Sequence, residues 1–521
     1  MMGHRSKRFK LFTETNLEAL LPADNFYRRL EEKLDLSFVR DLVRDCYGEM
    51  GRRSIDPVVF FKLQLIAFFE GITSERRLME TTQLHLAHRW YLGYDLDEPL
   101  PDHSSLSKIR SRYGVETFQR FFEQIVELCI EAGLVEGDEL YFDATKVEAD
   151  ASMSSLRPRL SLAATREHVR MVFEEDTLPE EPSPSPARSA DAGQGEDAAT
   201  ATGSKTAEAS LFRSLIESYR HARRGVLWAK KKYVRLADLR VSRTDPDAKP
   251  MRSAGGAKLG YHSQYVVDGG RARIILATLV TSAAVMENSP MLDLVRWLRF
   301  RWRLRPKQAT GDKAYATLEN IKGLEDDGVK AYLPLPNWSR RPGYYGREEF
   351  TYLPERDVYG CPQGQELARR ESSQGDNAHF YRAATGVCQA CPVMSACTSS
   401  SKGRAIRRPF DQAYIERVRR YHDTEAYMRA IRKRQVWVEP LFGEGKTLHG
   451  LRRFHLRGIE KVNIEDLMIA AGQNLKRLLR YSGTRPAPQA LAVLASVFLA
   501  LRRTFLPSVG AIDSPAPAFA T

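Results

Sequence analysis

The chain has 521 residues, a formal net charge of +13, 43% hydrophobic residues and six cysteines. One hydrophobic core rarely serves that length, so several domains or one core with large insertions are expected, and the basic balance favours a polyanionic partner. The sparse cysteines, an N-terminus without a secretory apolar run, and a longest late apolar run (Ala490 to Leu501) too short for a bilayer exclude secreted and membrane classes, leaving a cytoplasmic, nucleoid-associated protein as the expectation.

From about Leu17 to Val135 apolar segments alternate with helix punctuation, giving an all-α N-terminal domain over 1–135. Asp56-Pro57 is a cap and first-turn pair for VVFFKLQLIAFFE, which Gly71 ends. DHSSLSKIRSRYG offers a Ser-capped helix carrying Lys108, Arg110 and Arg112. Three short helices with a basic last member read as a helix-turn-helix that grips DNA; a helical bundle with solvated charges fits the residues equally well.

GDELYFDATKVEAD changes to a two-residue rhythm and predicts a strand from near Glu139, with Tyr141, Asp143 and Thr145 on one face. The Pro, Ala, Gly and acidic stretch 173–209 has too little apolar surface to order itself, and a basic helix is expected over 210–240. LGYHSQYVVDGG and ARIILATLVTS form an expected antiparallel pair turning at Gly269 and Gly270. NSPMLDLVRWLRFRW is an amphipathic helix, KQATGDKAYA a short strand entering a loop, TLENIKGLEDDG a helix and VKAYLPLP a strand. Three strands, helix, strand, helix, strand is the order of an α/β, ribonuclease-H-like core: a mixed five-stranded sheet with flanking helices. Its first part is expected over 136–335, a small Cys-rich insertion over 336–410, a helical C-terminal part over 411–481, and a C-terminal helix and tail over 482–521.

Two-metal phosphoryl transfer needs carboxylates on separate elements, and hard oxygen ligands suit two Mg²⁺ or Mn²⁺ ions. Asp143 lies in an apolar strand, where a carboxylate needs a metal, a cation or an open edge; for an isolated strand aspartate a structural role is the commoner one. Asp312 follows a strand end, where open α/β sheets place ligands, although GDKAY is also a plausible turn. Glu439 sits among aromatic and apolar residues, with Glu444 as its nearest competitor. Pro440, Gly443 and Gly445 favour a helix start or kink near Glu439, against the common helical face that the sevenfold spacing of Arg432, Glu439 and Lys446 suggests.

Cys361, Cys388, Cys391 and Cys397 are spaced C-x26-C-x2-C-x5-C, which suits a structural Zn²⁺ site, with reduced thiols or an iron-sulfur cluster as alternatives. Their surroundings have turns but little apolar content for a core of their own. Cys46 and Cys129 read as buried thiols. From Lys402 to Lys461 there are 16 basic against 7 acidic residues, interleaved with Trp437, Phe442 and Phe454. This points to DNA-backbone contact by Arg432, Arg434, Lys446, Arg452, Arg453 and Arg457, a solvated helix face being the bland reading. His262, His449 and His455 are isolated and receive no catalytic role.

Taken together, YFDATKVEADAS, SRTDPDAK, GYHSQYVVD, GDKAYA, WVEPLFGEGKTLHGLRRFHLRGIEKV and AAGQNLKRLL resemble the DDE transposases of bacterial insertion sequences. With the cysteine cluster they are similar to the insertion-sequence eleven-eighty-two group. The resemblance covers about Phe26 to Leu479. It implies that Asp143, Asp312 and Glu439 are the three acids, that Lys446 contacts DNA near the cleaved phosphate, and that the partners are transposon terminal inverted repeats and target DNA bound by a dimer or higher oligomer. Related enzymes often carry Tyr seven and Arg four residues before the third acid; here those positions hold Arg432 and Gln435. A nuclease of the same fold and a non-catalytic DNA-binding derivative are the competing readings.

Overall fold

The computed structural model describes residues 16–48, 50, 54–159, 162, 211–220, 240–253, 255–336 and 343–481. The expected unstructured stretch 173–209, most of the basic helix 210–240 and the C-terminal segment 482–521 lie outside them.

Seven helices come first: α1 (Leu17–Leu20), α2 (Phe26–Lys33), α3 (Phe38–Leu42), α4 (Pro57–Phe69), α5 (Glu75–Leu84), α6 (Leu86–Leu92) and α7 (Ser104–Glu131). Asp56 caps α4 by accepting from the Val58 amide, with Pro57 in the first turn, as the residue types predict. Helix α4 is apolar all round because it is enclosed: Phe60, Phe61, Leu63, Leu65 and Ile66 are buried. Its one charge, Lys62, is met by Glu31 at 2.7 Å and by the Tyr91 carbonyl at 2.8 Å. Gly114 (φ 71°) breaks α7 in two.

Strand β1 (Glu139–Glu148) lies at the middle of the main sheet. β2 (Leu156–Pro158) and β3 (Arg240–Ser242) form a separate ribbon; β4 (Lys249–Ser253), β5 (Gly256–Asp268), β6 (Ile275–Ser282), β7 (Gln308–Thr310) and β8 (Lys330–Tyr332) complete the main one. The order is β4-β5-β1-β7-β8, with β6 also on β5. Pairings of β5 with β1, β4 and β6 are antiparallel, those of β1 with β7 and β7 with β8 parallel. The sheet therefore has six strands instead of the five expected, β4 being the addition. Two helices, α8 (Met291–Trp302) and α9 (Leu318–Asp326), connect β6 to β7 and β7 to β8.

The 343–410 region is more ordered than its composition suggests. β9 (Thr351–Leu353), β10 (Val358–Gly360), β11 (Glu366–Ser373), β12 (Ala378–Arg382) and β13 (Ala405–Pro409) form an antiparallel sheet, with α10 (Met394–Cys397) before the last strand. The expectation that this region lacks a core is corrected: Phe350, Tyr359, Leu367, Tyr381 and Ile406 bury one large side chain each into a small core.

Three helices end the described residues: α11 (Gln412–Tyr421), α12 (Glu425–Leu448) and α13 (Ile459–Tyr481). Helix α13 runs along β6. Asn463 accepts from the Val280 amide at 2.8 Å and donates to its carbonyl at 3.1 Å; Asn474 does the same at Ile275, at 2.9 and 2.8 Å. Two amides thus satisfy backbone groups that β6, pairing with β5 alone among the described strands, would leave bare. The start of α13 is capped from afar: Asp245 accepts from the Gly458 amide at 3.2 Å and Asp247 from that of Ile459 at 3.0 Å. SRTDPDAK is accordingly a helix-capping segment, its acids facing a helix N-terminus. One apolar core runs from Leu21 in the N-terminal helices through the sheet to Leu478. Among the described residues no helix is long and apolar enough to cross a membrane.

Candidate active site

Strand register sets Asp143 and Asp312 at neighbouring strands. In the parallel pair β1/β7, Tyr141 lies opposite Thr310, so Asp143 and Asp312 each fall two residues beyond it. Asp143 lies inside β1 and Asp312 just past the carboxyl end of its neighbour β7, and Asp312 is close enough to raise the Asp143 carboxyl. Gly311 is required there, because a Cβ would come within 2.9 Å of the Tyr315 ring and 3.1 Å of Leu333. Asp312 caps the following turn, accepting from the Ala314 amide at 2.8 Å. That turn is held by Asn288 on the Ala314 carbonyl (2.6 Å), Asn320 on the Tyr315 carbonyl (3.1 Å) and the Tyr315 hydroxyl on Gln264 (3.1 Å).

The third acid arrives on α12, which packs across β1. Arg434 reaches from this helix to Asp143, 3.1 Å from its carboxylate, with its other terminal nitrogen 3.9 Å from Glu439. Burial pushes the Asp143 carboxyl up to about 6; Arg434 opposes this, while Asp312 and Glu439 add to it. All three acids therefore act on one electrostatic neighbourhood. Glu439 is 59% exposed, open to an incoming ligand. Glu444, its competitor, is committed elsewhere: although burial pushes it up, His449, Lys476 and Arg477 hold its carboxyl well below the usual range.

Helix α12 does not start or stop at Glu439, as Pro440 suggested; it is helical from Glu425 to Leu448 with Pro440 inside. Lys446, on its last turn, is half-buried. Burial and Arg452 push its ammonium down, and Asp143 pulls it back up. Beyond α12 the chain joins β1 again: the Glu148 amide donates to the Arg452 carbonyl at 3.0 Å and the Phe454 amide to the Glu148 carbonyl at 2.9 Å. LRRF is thereby fastened to the end of the strand that carries Asp143.

The basic residues singled out from the sequence divide. Lys108, Arg112, Arg432 and Arg452 are exposed. Arg453 and Arg457 are exposed but both bind Asp150, at 2.6 and 2.7 Å. Arg110 is 8% exposed and ion-paired with Glu75, so it is withdrawn from the DNA surface. Arg434 belongs to the acids. Sequence reasoning missed Glu287, a half-buried carboxyl that burial pushes up, Lys146 opposing and Asp312 adding; nothing in its local sequence marks it.

Cys361, Cys388, Cys391 and Cys397 line one cavity, and Cys361 accepts from the Gln365 amide at 3.3 Å. Burial pushes the Cys397 thiol up; Arg404 opposes this and the other three cysteines add to it. Among the described residues no three His, Cys, Asp or Glu side chains are gathered as a group that could hold a metal ion, here or at the acids.

Residues 15–112 match the family described as a transposase domain, and residues 360–479 match that described as a transposase DDE domain. The second match contains Glu439, Lys446 and the four cysteines; Asp143 and Asp312 lie outside both. No curated protein and no solved structure matches the chain.

Proposed function

We propose that this chain, a DDE-type transposase, cuts transposon ends and joins them to target DNA at a centre built from Asp143, Asp312 and Glu439. The reading is supported by the β1/β7 register, in which Asp143 and Asp312 each come two residues after the paired Tyr141 and Thr310, and by Arg434 of α12, 3.1 Å from Asp143 and 3.9 Å from Glu439. The strand order β6-β5-β1-β7-β8, antiparallel in the first two pairings and parallel in the last two, supports a ribonuclease-H-like core.

The donor set fits divalent cations. All three groups are hard oxygen ligands on separate elements, and Asp143, raised by burial, faces the Arg434 guanidinium with the Lys446 ammonium also in its field. Asp143, Asp312 and Glu439 would hold two Mg²⁺ or Mn²⁺ ions, which supply Lewis-acid polarisation of the phosphate and a more acidic water. Among the described residues the acids are not gathered as a metal-holding group, and Arg434, 3.1 Å from Asp143, would balance that carboxylate until a cation is held there.

The chain's own residues do the remaining work. Lys446 would hold the phosphate beside Asp143. Lys108 and Arg112 on the N-terminal helices, and Arg432, Arg452, Arg453 and Arg457 on the C-terminal segment, would neutralise DNA phosphates. Water attacks the phosphodiester at the transposon end and expels a 3′-OH; that hydroxyl then attacks a target phosphate in line and expels a second 3′-OH. No covalent enzyme intermediate is needed. Two ends must be processed together, which calls for a dimer or larger assembly.

The four cysteines would hold a structural Zn²⁺ ion. They line one cavity, with a backbone amide already directed at a sulfur, and metal binding would draw the thiolates inward.

The reading is tested by supplying a pre-cleaved end with a free 3′-OH, divalent metal and target DNA. A transposase joins the two. Cleavage of intact DNA without any joining supports a nuclease instead, and DNA binding with neither reaction a non-catalytic protein.

A further inference from the structure

Pro440 follows Glu439 directly and has no N–H, so it cannot donate to the carbonyl four residues earlier, that of Val436, and its ring presses on that carbonyl. Helix α12 nevertheless continues. A donor comes from elsewhere: Arg273 Nη1 lies 3.2 Å from the Val436 oxygen. Arg273 sits in the turn between β5 and β6 at φ 54°, a left-handed conformation uncommon for a residue with a side chain. Its guanidinium also lies 5.8 Å from the centroid of Trp437, whose indole N–H donates to the Gly270 carbonyl at 3.2 Å. One turn thus grips two successive residues of α12, just ahead of the third acid. The neighbouring cation, Lys433, is paired with Glu139 at 2.6 Å and does not serve this carbonyl.

We propose that Arg273 is a positioning residue for Glu439: it replaces the donor that Pro440 removes and so sets the course of the helical turn carrying the carboxylate. Glu439 is open to solvent and is held by no hydrogen bond of its own among those described, only by the long contact to Arg434, so its placement depends on the backbone beneath it. This inference rests on the reading of Glu439 as the third acid. Arg273 touches the helix and acts through it.

The test compares Arg273→Ala, Arg273→Lys, Pro440→Ala and the Arg273→Ala/Pro440→Ala pair in the full chain. Two readouts are used: amide hydrogen exchange around Glu439 in metal-free protein, and joining of a pre-cleaved end. Loss of one hydrogen bond to a strained carbonyl predicts exchange about five- to tenfold faster and joining slower by a similar factor in Arg273→Ala, with unchanged affinity for DNA. Arg273→Lys recovers most of both. Pro440→Ala returns an N–H to Val436 and makes Arg273→Ala silent. Wild-type exchange and joining in Arg273→Ala would overturn the proposal, as would an undiminished defect on the Pro440→Ala background. The two readings fail separately: if Glu439→Gln still joins DNA, the third acid is lost, whereas the Arg273–Pro440 coupling in exchange stands or falls by itself.

Discussion

Arg434 lies 3.1 Å from the Asp143 carboxylate, and both side chains are largely shielded, 13% and 16% exposed. Without metal this guanidinium is the cation that balances the first acid. Arg434→Gln is therefore expected to raise the Asp143 pKa above its present value of about 6, since the attraction that lowers it is gone. An ionised Asp143 is then penalised more in the folded state, so the variant's extra loss is small below about 6, where Asp143 is protonated in both folded proteins, and grows as pH rises above it. Breaking a shielded pair costs about 3 kcal/mol. Urea unfolding of metal-free protein at pH 8 and pH 5 reads this, and an equal loss at both would contradict it.

Glu439 and Glu444 should separate cleanly. Glu444 holds Lys476 and Arg477, with Arg477 11% exposed, so Glu444→Ala strands a buried guanidinium and costs about 3 kcal/mol of stability. Glu439→Gln changes an exposed side chain and should stay within about 0.5 kcal/mol of wild type, yet abolish joining. Thermal unfolding and joining assays on the two variants decide which is structural.

Asp466 is buried on α13 with hydrogen bonds from Ser263 and Thr278 and no cation paired with it among the described residues; burial pushes its carboxyl up to about 7 against those bonds. Its folded pKa exceeds its unfolded one, so the folded state holds a proton that the unfolded state releases. Stability then falls as pH rises from about 4 to about 7 and levels off above, by at most about 1.4 kcal/mol per pH unit. Asp466→Asn should remove this part of the slope. Parallel unfolding curves for the two proteins between pH 5 and pH 8 would count against it.

The cysteine cavity makes its own prediction. Purified protein should contain one Zn²⁺ per chain, and a strong chelator should expose the β9–β13 region to proteolysis while leaving the main sheet protected. Cys388→Ser should abolish the bound zinc. Protein free of zinc and equally resistant with or without chelator would leave the four thiols as reduced residues around an apolar cavity.

Legibility in the sequence followed the range of the interaction. A two-residue rhythm revealed β1, strand-forming runs either side of Gly269 and Gly270 revealed β5 and β6, which are buried almost throughout, and the Asp56-Pro57 cap pair revealed α4, because those signals are local. The continuity of α12 was hidden because the donor that compensates Pro440 stands 163 residues away. Arg434 looked like one more charge in a basic run; only strand-to-helix packing turns it toward Asp143. The second sheet was missed because each of its strands contributes only one or two apolar side chains to the core, too few for a pattern.

Asp143, Asp312 and Glu439 are proposed to form one centre, which is read most directly by joining of a pre-cleaved transposon end by Asp143→Asn, Asp312→Asn and Glu439→Gln proteins, with end binding followed alongside. The expected result is a loss of joining of at least about a hundredfold in each variant, several kcal/mol of barrier, with end binding retained. Wild-type joining by any one of the three would remove that residue from the centre, and by all three would contradict the account.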